Sequence, residues 1–224
     1  MDGPVFRPIA DHAILVDCGD SSSPAVHEAV LRLDQALTAA PFAGFTEAVP
    51  AFVNLLVDFD PSLTDHATVE TYLRQLLSAD PAHRHHPTVR AVLICYDGLF
   101  APDLDAVARL TGLAREAVVN AHLAGRYEVC MYGFAPGYAY FAGVPAPLQL
   151  DRKPRPLRGI AAGSVMIAGL QCLVTAMIMP TGWWIIGRSP TRILTGDTKR
   201  PFLFDVGDRV TFRRISPAEF GAAA

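Results

Sequence analysis

Apolar and polar positions in the first third of the chain follow two rhythms. Between residues 5 and 18, Ile14, Val16 and Cys18 alternate with Leu15 and Asp17, the period of two that marks a strand. Gly19 and the serines at 21–23 end it. Ser23 carries the short hydroxyl of a helix cap, Pro24 stands at a first helical position, and Val26, Ala29, Val30, Leu33 and Leu37 fall on one helical face. Phe45–Val49 and Phe52–Asp58, joined around Pro50, read as neighbouring antiparallel strands. A second helix from about His66 lines up Val69, Tyr72, Leu73, Leu76 and Leu77. It stops before Asp80-Pro81, because proline disfavours helical geometry in the residue ahead of it. Strand, helix, strand, strand, helix predicts a small α+β sandwich.

Residues 81–87, PAHRHHP, read as a solvated linker. A metal would need His83, His85 and His86 held convergent by defined elements, which a proline-bounded loop does not supply. The expected division is therefore an N-terminal α+β domain over 1–86 and a second domain over 87–224. In the second part, Val89–Tyr96 is nearly all apolar and predicts a strand buried on both faces. Pro102–Leu110 carries Leu104 and Val107 at helical spacing, with Gly112 as a stop. Ala114–Ala124 is a further helix in which Val118 and His122 share a face. GDRVTFRR, 207–214, predicts a final strand with Val210 and Phe212 inward, and the tail SPAEFGAAA is expected to fray.

Between these segments, Tyr127–Pro190 changes character: short apolar runs are broken repeatedly by glycine, proline and arginine. Glycine permits backbone angles and close approaches closed to other residues. Tyr127, Tyr132, Phe134, Tyr138, Tyr140, Phe141, Trp183 and Trp184 lie among these breaks, either filling a barrel or lining a pocket.

Composition narrows the classes. The 224 residues, 51% hydrophobic and 18% charged, are enough for a substantial core without staples. Nineteen basic against 22 acidic residues leave no electrostatic footprint for nucleic acid or an anionic membrane. Cys18, Cys95, Cys130 and Cys172 are widely spaced without a C-x-x-C pair, so they read as reduced core thiols. The opening residues carry no secretory signal and no run reaches bilayer length, so a cytoplasmic location is expected.

The sequence holds no phosphate-binding P-loop, dinucleotide fingerprint, nucleophile elbow or H-E-x-x-H motif. Ser164 lacks an evident base and reads either as a turn hydroxyl or as a ligand contact. Arg152, Lys153, Arg155 and Arg158 lie among prolines; they form a solvated loop or, since arginine's planar fork suits carboxylate and phosphate, an anion site. His122 reads as a satisfied core group or as a proton shuttle, and Tyr127 and Gln171 add donors or acceptors.

YEVCMYGFAPGYAYFAGVP, the arginine-proline pairs after it, AAGSVMIAGLQ, GWWIIGRSP and the final GDRVTF together resemble the family of 5-oxoprolinase B subunits, also called allophanate hydrolase subunit 1, which includes the KipI kinase inhibitor. DHAILVDCG and YDGLFAPDL extend the resemblance over nearly the whole chain. It implies an α+β N-terminal domain followed by a mainly β, cyclophilin-like barrel. It also implies an ATP-dependent hydrolase opening 5-oxoproline to glutamate, in complex with a homologous second subunit and a third protein. ATP would be held by the complex, with no metal or biotin attachment site in this chain. The alternatives it implies are a KipI-like inhibitor of a sensor histidine kinase or a carboxyltransferase module of urea metabolism. Matched onto the family's motifs, His122, Arg155 and Arg188 are the candidate catalytic residues. Tyr127, Gly133, Phe134, Pro136, Gly137, Ser164, Gln171, Gly182 and Trp183 are the candidate substrate-binding ones. Ile160, Ala161, Cys172 and Thr181 depart from the family's usual pattern.

Overall fold

The N-terminal alternation resolves into two strands, because Ala10 turns the chain at φ +49° and folds one expected strand into a hairpin. In the computed structural model of the protein, residues 3–21, 23–78 and 87–223 are described. The chain packs as two units, Met1–His86 and Pro87–Ala224. The expected linker histidines, His83, His85 and His86, lie outside the described residues.

The first unit runs β1 (Val5–Ile9), β2 (Ala13–Asp17), α1 (Pro24–Ala39), β3 (Phe45–Pro50), β4 (Asn54–Phe59) and α2 (His66–Ser78). Its sheet is antiparallel throughout, in the order β1-β2-β4-β3. Ser23 caps α1, its hydroxyl accepting from Val26 N at 3.3 Å, with Pro24 in the first turn where no amide hydrogen is needed. Val30, Leu33 and Leu37 of α1 and Val69 and Leu73 of α2 pack on Ile14, Val16, Leu55 and Val57 of the sheet.

The second unit contains β5 (Val89–Ile94), α3 (Leu104–Thr111), α4 (Arg115–Leu123), β6 (Tyr127–Tyr132) and β7 (Ala139–Ala142). It continues with β8 (Leu157–Ile160), β9 (Ser164–Ala168), β10 (Gln171–Val174), β11 (Met179–Thr181), β12 (Trp184–Arg188), β13 (Arg209–Arg214) and α5 (Pro217–Ala223). Seven strands form one sheet in the order β12-β9-β10-β7-β6-β13-β5, with β5 and β13 parallel. The outer edges meet at one point: Cys95 N donates to Arg188 O at 2.8 Å and Arg188 N to Cys95 O at 2.9 Å. This bridge nearly closes a barrel. Gly187 makes it possible, since a Cβ there would lie 2.6 Å from Ile94 Cδ1 and 3.0 Å from Cys95 O.

Two expectations are corrected here. β5 is half-buried: Val92 and Ile94 face the core, while Val89 is 61% exposed because the strand lies at the sheet's edge. The strands buried on both faces are instead β9, β10 and β12. Val165, Ile167, Cys172 and Ile186 point into the barrel core, and Met166, Leu173 and Ile185 into a second cluster with Met179 of the β8–β11 ribbon. Pro217–Ala223 of the expected frayed tail form a helix. Ser216 N donates to Glu219 Oε2 at 2.7 Å and Glu219 N returns a bond to Ser216 Oγ at 3.3 Å, a capping box that starts α5.

Candidate functional site

Arg188 ends β12 at the seam of the barrel, and the turn before β9 comes up against it. At Gly163 the backbone has φ +79°, and a Cβ would sit 2.2 Å from Ser189 O, so only glycine lets the two segments touch. Ser189 N donates to Gly163 O at 2.7 Å, and Arg188 Nε donates to Ala162 O at 3.1 Å. The guanidinium carbon lies 5.7 Å from the ring centroid of Phe220 on α5. A cavity of about 340 Å³ opens beside this contact, reaching from Ala162 and Gly163 past Arg188 to Arg192 and Leu194. Gly137 borders it: a Cβ there would lie 2.8 Å from Leu194 Cδ2.

Ser164 belongs to the same turn. Its hydroxyl donates to Ala161 O at 2.8 Å and its amide to Thr175 Oγ1 at 2.9 Å, so its proton is used inside the turn. Phe134, in the turn between β6 and β7, adopts φ +68° and is 68% exposed, an uncommon backbone state for a bulky residue. From it a row of rings runs Phe134–Tyr138, Tyr138–Tyr140, Tyr140–Trp183, with centroids 5.3, 5.2 and 5.8 Å apart. Arg152 lies over Trp183 at 5.8 Å. Burial holds the phenols of Tyr138 and Tyr140 above their ordinary pKa, so both remain donors. Gly133 and Pro136 belong to this turn, and Gly182 leads into Trp183.

The arginine-proline segment is not a free loop. Lys153 N donates to Gly182 O at 2.7 Å, and its ammonium pairs with Asp103, which also accepts from Ile185 N at 2.7 Å. Lys153 is thereby spent on architecture. Arg155 next to it is exposed and bonds to no other described residue. It precedes β8, whose far end leads toward Ala162 and Gly163.

The remaining candidates lie elsewhere. His122 is 0% exposed; its Nδ1 lies 2.7 Å from Tyr96 Oη and its Nε2 3.5 Å from Cys172 Sγ. Burial lowers its pKa to about 3. Sealed and neutral, the ring is a core group here, with no route to carry a proton to a ligand. Tyr127 is buried too, its hydroxyl donating to His122 O at 3.0 Å, and burial raises its pKa. Gln171 starts β10, the end away from Thr175, and so does not share the Arg188 cavity. Sequence reasoning missed Phe220 and Arg192. The S-x-x-E spacing at Ser216–Glu219 was the available signal for the first; Arg192 has none in local sequence.

Among the described residues no group of acidic, histidine or cysteine side chains has the geometry to hold a metal ion, and no helix is long and apolar enough to cross a membrane. All four cysteines are free.

Known proteins share this outline. The family described as carboxyltransferase domain, subdomains C and D, matches residues 4–204. Over 231 residues the chain is 32% identical to the B subunit of 5-oxoprolinase from Bacillus subtilis strain 168, covering 97% of this chain and 95% of that protein. It is 28% identical over 205 residues to the Escherichia coli O157:H7 protein of the same name, covering 91% and 93%. Among solved structures, TTHA0988 superposes with a TM-score of 0.81 at 31% identity, over 92% of this chain and 40% of that longer one.

Proposed function

The chain belongs to the carboxyltransferase-domain family of 5-oxoprolinase B subunits, and from that premise we propose that it works in an ATP-dependent complex that opens 5-oxoproline to glutamate. The observation that carries this reading is the match from end to end with a relative named as that subunit. In the overall reaction water adds across the ring amide, the C–N bond breaks, and a second carboxylate and an ammonium result.

The site offers what such a substrate needs. Arg188 faces a small cavity with no acidic side chain among its described lining residues, suited to the substrate carboxylate. In the neighbouring turn the backbone N–H groups of Phe134 and Gly137 donate to no other described residue, so they can serve an oxygen that gains negative charge. Arg155, which is not among the residues lining the cavity, is exposed, pairs with no other described residue, and is a further cation for carboxylate or phosphate. We give His122 no proton-transfer role, because its ring is closed off from the cavity.

ATP does not fit this chain's own residues. Among the described residues no glycine-rich loop leads into a helix, and the position ahead of α3 is taken by Asp103, already paired with Lys153. The nucleotide is assigned to the partner subunits. Exposed Phe134, held at a costly backbone angle in front of the buried Tyr138 and Trp183, supports a docking role for this one ring toward a homologous second subunit. The same feature suits the alternative of a KipI-like kinase inhibitor, which predicts lowered autophosphorylation of a sensor histidine kinase when the chain is added.

Co-purification with the second and third proteins, followed by an assay of ATP-dependent 5-oxoproline cleavage, tests the reading. Activity is expected, with Arg188→Ala and Arg155→Ala each reducing it at least about tenfold, the loss typical of a charge-assisted contact. A complete complex that leaves 5-oxoproline intact would overturn the function; full activity in both variants would overturn the residue assignments.

A further inference from the structure

The cavity beside the barrel seam holds a second cation, Arg192. Arg192 lines it together with the Ala162–Gly163 turn, is exposed, and makes no hydrogen bond or ion pair with any other described residue. Arg188 is committed only through Nε, which leaves its terminal nitrogens available. Thr191 between them accepts from Leu93 N at 3.1 Å, so its own hydroxyl proton remains free to donate. Two arginines and a threonine therefore line one cavity, with no carboxylate among its described lining residues. Thr175 and Ser189 also line the wall, and Ala176, Pro190, Ile193, Leu194 and Phe220 give it an apolar part. At about 340 Å³ the space stands at the small end of ligand sites, enough for a compact ring.

We propose that this cavity is the pocket for a compact monocarboxylic acid with a small lactam ring, and that Arg192 is a substrate-binding residue that clamps the carboxylate together with Arg188. The proposal rests on the 5-oxoprolinase reading and gives that substrate an address. Charge alone would serve inorganic phosphate equally well. The apolar part of the wall is what favours an acid carrying a hydrocarbon body, since a phosphate ion would leave Ile193 and Leu194 unused.

Equilibrium dialysis of labelled 5-oxoproline against the chain co-purified with its second subunit, without ATP, tests it. Arg192→Ala is expected to weaken binding at least about tenfold, the loss typical of a charge-assisted contact, with Arg192→Lys recovering part. Unlabelled 2-pyrrolidinone, the same ring without the carboxylate, should compete at least about tenfold more weakly than the acid. Melting temperatures of both variants should match wild type, because Arg192 holds nothing else in place. No binding, equal binding by Arg192→Ala, or phosphate competing as well as 5-oxoproline would overturn the pocket. If the complex binds the acid through Arg192 but never cleaves it with ATP, the pocket stands and the activity falls. If it cleaves with an unchanged KM in Arg192→Ala, the reverse holds.

Discussion

At Gly163 one missing side chain decides whether the cavity exists. The residue combines φ +79° with a Ser189 carbonyl oxygen 2.2 Å from where a Cβ would be, and neither backbone can give way without breaking the Ser189–Gly163 hydrogen bond. Gly163→Ala should cost about 2 kcal/mol or more, the left-handed penalty and the clash together. Urea unfolding measures it, and a loss below about 0.5 kcal/mol, the range of a neutral surface change, would mean the contact is looser than described. The need for glycine was visible in the A-A-G-S run as a turn; the partner that demands it was not, because Ser189 lies far along the chain. His122 makes the opposite point. Its helical face was readable, yet whether it met a ligand or a core depended on Tyr96 and Cys172, which come from distant strands and loops.

Among the elements, the segment before β8 behaves as a strap pinned at Lys153. Its side chain is only 9% exposed and its ammonium is matched by Asp103, which also satisfies Ile185 N. Removing one partner of such a pair leaves a buried charge and an unmet amide. Asp103→Ala should therefore destabilise by about 3–5 kcal/mol. Adding Lys153→Met should recover a good part of that loss, and denaturant titration of the single and double variants checks it. An unchanged double variant would mean that the cost comes from Ile185 N alone. At the C-terminus, Ser216→Ala removes the cap of α5 and should cost about 1 kcal/mol while loosening Phe220 under Arg188. Hydrogen exchange of the α5 amides reads that directly; unchanged protection would contradict the capping role. The charged, proline-rich strap looked solvated because sequence does not show that Asp103, far earlier in the chain, reaches it.

For the molecule as a whole, two buried titratable groups give the two units opposite responses to acid. His122 has a folded pKa of about 3, below the ordinary 6.5, so the unfolded chain binds its proton first. Stability of the barrel unit should fall as pH drops from about 6.5 toward 3, by at most about 1.4 kcal/mol per pH unit from this group. Asp34 on α1 is pushed the other way, up to about 6 by burial. Its contribution is full below about 3.8 and is lost as pH rises through 6, so the first unit gains on mild acidification. Hydrogen exchange resolved by unit between about pH 3 and 7, the interval spanning both transitions, should show the two trends diverging, with His122→Gln flattening the barrel's. Parallel trends would refute the assignment.

Local patterns carried much of the fold: the Ser23-Pro24 helix start, the apolar faces of α1 and α2, the Gly112 stop and the inward Val210 and Phe212. These depend on neighbours within a few residues, which is the range over which propensity and periodicity act. Family membership was also legible, because glycine and arginine motifs persist as strings. Tertiary structure alone decided that β9, β10 and β12, and not β5, are buried on both faces, and that the Cys95–Arg188 bridge nearly closes the barrel. It alone separated Gln171 and His122 from the Arg188 cavity and brought in Arg192 and Phe220. Such choices rest on which distant segments meet, and no local rhythm encodes that.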